Sequence, residues 1–323
     1  MCEVMVINMA GTLVIGFVFV DIKGFSAGTY HARGRNVGDI RFIHGGVSRN
    51  VAENIAGCGM PVSFVSLYED TALGNDVLRR LNRVGVDTAH MKKVDRFGIG
   101  TWMVILDERG DVAGEISCPP DTAALEALID AHGEELIRDC DNVILEIDTS
   151  VSIDERVLAW AEQYQKPVFT VVGNLSVIQS HPEFLSSLTC FVCNETEAGK
   201  LFQKDLSVAT PKEMLSVLEE HIGTLGCRSM VVTMGAQGAV YYEQKTHSGG
   251  IVPAIPTDVV DSTGAGDAFL SGTVMGLTRG MPLSRAVQVG THLASAAIRT
   301  EESCAAPNPD FWKQFDLYYN YIT

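Results

Sequence analysis

Short apolar runs alternate with amphipathic stretches along most of the chain. The runs Leu13–Val20, Val62–Leu67, Asn142–Ile147, Pro167–Val172, Thr189–Val192, Met230–Thr233 and Ala239–Tyr242 are rich in β-branched or aromatic residues. Their length and composition predict buried strands. The segments between them predict helices. Ser152-Ile153-Asp154-Glu155 has the form of a capping box opening one helix, and Thr210-Pro211-Lys212-Glu213 puts proline at the first position of another. Ala286, Val287, Gly290, Leu293, Ala294 and Ala297 fall on one face of a late helix. Such alternation predicts an α/β fold, a mainly parallel sheet flanked by helices.

Two stretches depart from it. Residues 22–44 and 94–118 contain short β-like runs punctuated by Gly, Arg and Asp; Thr101–Leu106 and the turn Asp107-Glu108-Arg109-Gly110-Asp111 predict a strand leading into a second strand. Small β pieces of this kind predict a lid or an oligomer interface on a single domain spanning residues 1–323. No linker, repeat or low-complexity tract divides the chain.

The charge balance then narrows the partners. With Lys+Arg 24 and Asp+Glu 40 the net charge is −16. A diffuse acidic surface disfavours nucleic acid and anionic membrane, though not an anion held in a local pocket. The eight cysteines are scattered, and Cys190-Phe191-Val192-Cys193 lacks the second pair that a zinc ribbon needs. A buried strand and a reducing, cytoplasmic location are expected. Val4–Val20 is uncharged but contains Asn8, Gly11, Thr12 and Gly16 and is followed at once by Asp21 and Lys23. Its part Leu13–Val20 predicts a buried strand rather than a membrane span, and Met1–Gly11 an extra strand or a loose leader.

The segment richest in chemistry is Val260-Asp261-Ser262-Thr263-Gly264-Ala265-Gly266-Asp267-Ala268-Phe269. Small residues before a helical pattern expose backbone N–H groups where the helix dipole favours an anion. Phosphoryl transfer needs such a site, and Asp267 at its edge can take a proton from an acceptor hydroxyl. A tight turn with a capping aspartate is the alternative. The chain has no Walker A loop.

D-[ST]-x-G-A-G-D-x-F resembles the carboxy-terminal signature of the ribokinase (PfkB) family, and Asp261–Phe269 match it without a gap. The resemblance implies a ribokinase-like fold with a β lid and ATP as phosphoryl donor. It further implies Gly264, Ala265 and Gly266 as anion hole, Asp267 as catalytic base, and a monovalent-cation site, K⁺ in many members, near Asp261 and Thr263. Further motifs follow in the family's order. His44-Gly45-Gly46-Val47-Ser48-Arg49-Asn50 resembles the amino-terminal substrate motif, with Gly45, Gly46 and Asn50 facing the acceptor. Asp21, after the first strand, resembles the sugar-binding aspartate. Asn194-Glu195-Thr196-Glu197 resembles the N-x-x-E motif that organises Mg²⁺ and its waters through Asn194 and Glu197; an N-cap with its partner is also compatible. Thr233, Gly235 and Gly238 resemble the nucleotide-side turn, and His292 an adenine-pocket position.

For the acceptor, Asp21-Ile22-Lys23-Gly24 and Gly45–Asn54 resemble the pseudouridine kinase branch, with Arg49 as a further substrate contact. The expected acceptor is therefore a nucleoside, with pseudouridine first. A free sugar or sugar acid is the alternative, and a catalytically silent nucleotide-binding regulator the third reading. His44 in place of proline, Ile116-Ser117-Cys118-Pro119-Pro120 at the lid's end and Val172-Gly173-Asn174-Leu175 depart from the branch on the acceptor side. A homodimer through the β lid is the expected assembly.

Overall fold

The computed structural model describes residues 11–173 and 175–315. The expectations for the leader and for Asn174 lie outside these residues.

The first apolar run makes two strands, not one. β1 (Thr12–Ile15) ends at Gly16, and β2 (Phe19–Ser26) starts after it in a different sheet. Gly16 forces the break: a Cβ there would lie 2.1 Å from the Ser48 hydroxyl and 2.3 Å from the Glu146 carboxylate. β3 (Gly38–Gly45) returns along β2 and leads into α1 (Val47–Gly57). β4 (Val62–Glu69), α2 (Ala72–Val84), β5 (Met91–Val94), β6 (Gly100–Leu106) and β7 (Val112–Cys118) follow. Next come α3 (Thr122–Asp139), β8 (Asn142–Glu146), α4 (Val151–Gln163), β9 (Val168–Val171) and the short α5 (Ser176–Ser180). The rest comprises β10 (Phe191–Asn194), α6 (Glu195–Phe202), α7 (Pro211–His221), β11 (Ser229–Thr233), β12 (Ala239–Glu243), β13 (Ser248–Val252), α8 (Ala265–Thr278) and α9 (Leu283–Ala297).

β5-β4-β1-β8-β9 form a wholly parallel sheet. A bridge between Phe169 and Cys190 continues it into β10-β11-β12-β13, whose first pair is parallel and whose last two are antiparallel. Strands buried on both faces need helices on both sides. Successive β1 residues accordingly serve different cores. Val14 packs with α1, α8 and α9 residues such as Val51, Ile55, Val274 and Val287, whereas Leu13 and Ile15 pack with Leu125, Ile129, Val157 and Leu218 of α3, α4 and α7. α8 and α9 touch backbone to backbone, because a Cβ on Gly272 would lie 2.7 Å from the Cα of Gly290.

The second sheet, β3-β2-β6-β7, is the expected lid. Its pieces begin at Phe19 and Gly100 and end at Gly45 and Cys118, so it includes Asp21. The capping boxes divide. Thr210 and Glu213 form theirs, but α4 starts two residues earlier than expected, at Val151 after Ser150, so Ser152 lies inside the helix instead of capping it, and Asp154 beside it is fully buried. Cys190 and Cys193 are buried thiols in apolar surroundings, and burial pushes Cys190 up to about 12. Among the described residues no helix is long and apolar enough to cross a membrane.

Candidate active site

Parallel pairing puts the carboxyl ends of β1, β8, β10 and β11 at one edge, where α/β sheets bind ligands. Glu146, Asn194 and Thr233 are the last residues of their strands there. The lid and the amino terminus of α8 meet the same edge through α1.

At α8, Gly264 is the N-cap with φ 76°, and a Cβ there would lie 2.0 Å from the carbonyl oxygen of Ser303. Only glycine fits this backbone and this space. The Ala265 N–H donates to Ser262 at 3.2 Å, so helix geometry leaves the Gly266 and Asp267 N–H groups for an anion. Ala265 thus shapes the turn rather than donating from it. The Asp267 carboxylate accepts a 2.6 Å hydrogen bond from the Asn50 amide. Burial raises its pKa to about 6, while the Asn50 bond and the charge of Arg49 oppose the rise. Such a carboxylate is ionised at neutral pH yet close to its titration range, as a general base should be.

Asn50 sits in the first turn of α1, after Gly46 with φ 90°. A Cβ on Gly46 would lie 2.7 Å from the Phe19 nitrogen. Asp21 lies over Gly45: its carboxylate oxygens are 3.1 and 3.2 Å from where a Gly45 Cβ would be. Burial raises the Asp21 pKa against the charges of Lys23 and Arg49. Asp21, Gly45, Asn50 and Asp267 are therefore brought together from the lid, α1 and α8.

Arg49 is not brought to that surface. Its side chain is fully buried and donates to the carbonyl oxygens of His44 and Gly45, to Asn50 Oδ1 and to Glu53 at 2.5 Å. Its position follows from the helix: Asn50, one residue on, is turned toward Asp267, and Arg49 toward Glu53, one helical turn later. Glu53 also pairs with Arg80 at 2.7 Å, and Arg80 with Glu302 at 2.7 Å. Burial alone would raise the Glu53 pKa, but bonds from Arg80 and the charge of Arg49 bring it below the ordinary value.

Two open spaces flank the α8 turn. A cleft of about 930 Å³ beside lid strands β2 and β3 is lined by Lys23, Arg41, His44, Arg80, Asp261 and Glu302, but not by Asp21, Asn50 or Asp267. On the far side, a cavity of about 470 Å³ is lined by Thr233, Gly235, Gly238, Gly266, Thr291 and Ser295. Gly235 and Gly238 have φ 52° and 94°, and a Cβ on Gly238 would lie 2.1 Å from the Val252 carbonyl oxygen. His292 is exposed and does not line this cavity. The cavity face of α9 runs through Thr291, Ala294, Ser295 and Ile298, so residue 292 is rotated off it and meets Phe315 edge-on at 5.2 Å.

Asn194 and Glu197 form a reciprocal capping box, both bonds 2.9 Å. Burial raises the Glu197 pKa, and the neighbouring Asp148 charge adds to the rise. Among the described residues no group of three or more His, Cys, Asp or Glu could cage a metal. Oxygen donors without a cage fit Mg²⁺, which keeps waters and binds phosphates. Asp261 accepts from both the N–H and the hydroxyl of Thr263 at 2.8 Å. Burial opposes but does not outweigh these bonds, and the Asp261 pKa falls.

Glu146 escaped the sequence reading. It is buried, accepts from the Phe17 N–H at 2.9 Å and from Ser48 at 2.7 Å, and desolvation raises its pKa to about 7. A lone carboxylate ending the apolar run Asn142–Ile147 was the available signal.

A family model described as pfkB family carbohydrate kinase matches residues 9–310. The chain is 37% identical over 294 residues to a guanosine-inosine kinase of Exiguobacterium acetylicum, covering 91% of this chain and 96% of that one. It is 27% identical to a pseudouridine kinase of Escherichia coli, covering 92% of each. In three dimensions it resembles an Arabidopsis thaliana ribokinase complexed with ribose and ATP, with TM-score 0.80, 21% identity and coverage of 94% and 98%. A ribokinase from Cryptococcus neoformans in complex with ADP gives TM-score 0.76 at 20% identity, with coverage of 94% and 99%.

Proposed function

The chain belongs to the PfkB family of ATP-dependent sugar and nucleoside kinases, and from that premise we propose that it phosphorylates the 5′-hydroxyl of a purine nucleoside of the guanosine or inosine type. The observation that carries this reading is the 37% identity, along 91% of the chain, to a relative named for guanosine and inosine. Pseudouridine is the second reading, favoured by Gly45–Asn54 and by the 27% identity to a pseudouridine kinase. Comparing kcat/KM for guanosine, inosine, pseudouridine and ribose tests the order. A tenfold preference for ribose, about 1.4 kcal/mol of transition-state discrimination, would defeat the nucleoside assignment and leave the kinase assignment standing.

In this reading the acceptor ribose lies between Asp21 and Asn50, with its primary hydroxyl at Asp267. ATP enters the cavity beside Gly235 and Gly238 and points its γ-phosphate at the Gly266 and Asp267 N–H groups. Asp267 removes the hydroxyl proton as the oxygen attacks phosphorus in line, and the N–H groups stabilise charge on the transferred oxygens. Asn194 and Glu197 would hold Mg²⁺ through its waters, and the metal would neutralise phosphate charge. Asp261 and Thr263 would border a K⁺ site. Free thiols suit a reducing cytoplasm. The outer lid face exposes Ile40, Phe42, Met103 and Ile116, at 65, 62, 40 and 65%, and a second copy covering this apolar face would form a homodimer. Sedimentation that gives a monomer at micromolar concentration would remove that pairing.

A further inference from the structure

A buried chain of hydrogen bonds runs behind the proposed base. The Asn50 amide uses both ends: Nδ2 donates to Asp267 at 2.6 Å, and Oδ1 accepts from the Arg49 guanidinium. An asparagine amide can turn over, presenting either a donor or an acceptor to its neighbour. A guanidinium has donors only, so a guanidinium against Oδ1 permits one orientation. Arg49 is itself immobilised. It is fully buried, donates to the carbonyl oxygens of His44 and Gly45, and pairs with Glu53 at 2.5 Å. Glu53 is held from its other side by Arg80 at 2.7 Å, and Arg80 by Glu302 at 2.7 Å.

We propose that Arg49 is a positioning residue for phosphoryl transfer: it locks the Asn50 side chain so that only its NH₂ group faces Asp267. The consequence for the base is chemical. A fixed donor stabilises the carboxylate and offers nothing to the protonated acid. With Oδ1 released, the amide could turn and accept a hydrogen bond from the O–H of neutral Asp267, which would favour the inactive form. Arg49 therefore keeps Asp267 competent against the burial that pushes its pKa up. Lysine cannot substitute, since one ammonium cannot span the His44, Gly45, Asn50 and Glu53 acceptors at once. The inference rests on Asp267 being the base.

The test is a double-mutant cycle of Arg49→Lys and Asn50→Ala, read by kcat, by acceptor and ATP KM, and by the pH dependence of kcat/KM. Arg49→Lys should lower kcat by roughly tenfold and move the acidic limb upward by about half a pH unit or more, with both KM values changed less than about threefold. In the Asn50→Ala background the same substitution should change kcat less than about twofold, because its route to Asp267 is gone. Equal effects in the two backgrounds would overturn the proposal. A rise in acceptor KM alone would also overturn it and return Arg49 to the substrate surface. Asp267→Asn, assayed alongside, separates the two ideas. Near-normal turnover there defeats the base itself, whereas an inactive Asp267→Asn with an additive cycle defeats only the positioning role. If Arg49→Lys does not fold, the unsubstituted protein labelled with ¹⁵N-asparagine still decides. The Asn50 NH₂ protons should stay protected from water exchange on both sides of the Asp267 titration, and loss of protection below it means the amide turns freely.

Discussion

Replacing Asp267 by asparagine separates chemistry from stability more sharply than any other change. In the folded protein the pKa of Asp267 is raised from 3.8 to about 6, chiefly by burial. A raised acid pKa means that the carboxylate destabilises the fold. The penalty is absent below pH 3.8, grows through the interval and is complete above pH 6. At 1.36 kcal/mol per unit it approaches about 3 kcal/mol, an upper figure because the side chain keeps some contact with solvent. The neutral amide carries no such penalty, and its oxygen can still accept from Asn50. Asp267→Asn should therefore melt at or above the parent temperature at pH 7.5. It should also lose about 10²–10⁴ in kcat, or roughly 3–5 kcal/mol of transition-state stabilisation. The assays are thermal unfolding, coupled ADP release at saturating acceptor, and ATP affinity by calorimetry, which should change little. A folded protein with near-parental kcat would refute the base. Asparagine caps a helix as well as aspartate does, so melting temperature would stay nearly unchanged even if Asp267 only supported the turn, and kcat is the deciding readout.

The remaining predictions concern its neighbours. Asp21→Ala should raise acceptor KM or lower kcat/KM by about 1.5–3 kcal/mol equivalent while sparing ATP affinity, and unchanged acceptor kinetics would remove Asp21 from the site. Glu197→Gln should raise the Mg²⁺ concentration needed for half-maximal rate; an unaltered Mg²⁺ titration would leave Glu197 a helix-cap partner only. Gly264→Ala, meeting the Ser303 carbonyl oxygen at 2.0 Å, should depress kcat and stability together, and a fully active, stable variant would show that the turn tolerates displacement. Asp154 is buried with neither oxygen hydrogen-bonded and has its pKa raised to about 9 by burial and by Asp148 and Glu146. Its raised pKa makes stability fall as pH climbs from 3.8 toward 9, so Asp154→Asn should flatten stability between pH 7 and 9 in denaturant titrations.

Local signals made much of the molecule legible. Apolar run length gave the central strands, and the Asp261–Phe269 signature placed Asp267 beside the helix terminus where the structure has it. What failed was orientation and long-range contact. The uninterrupted hydrophobicity of Leu13–Val20 hides the Gly16 break, which exists because Ser48 and Glu146, distant in sequence, occupy the space of a side chain. Adjacent residues on α1 and α9 diverge by about 100°, so a motif that brings Asn50 to Asp267 says little about Arg49, and on α9 it is Thr291 rather than the expected His292 that lines the cavity. The charged positions that surprise most, Arg49, Glu53, Glu146 and Asp154, are buried by elements remote along the chain.

The glycine contact between α8 and α9 has a consequence for donor choice. α8 begins at the proposed γ-phosphate site, and α9 lines the cavity proposed for the other end of the nucleotide. Where Gly272 and Gly290 meet, no side chain can act as a compressible spacer, so the two helices set their separation by backbone contact. In the proposed binding mode the pair would act as a fixed caliper on the span between the two ends of the nucleotide. A donor one phosphate shorter would leave its terminal group short of the α8 N–H groups, and a longer one would overrun them. Discrimination between ATP and ADP as donor would then be written into two residues that touch neither.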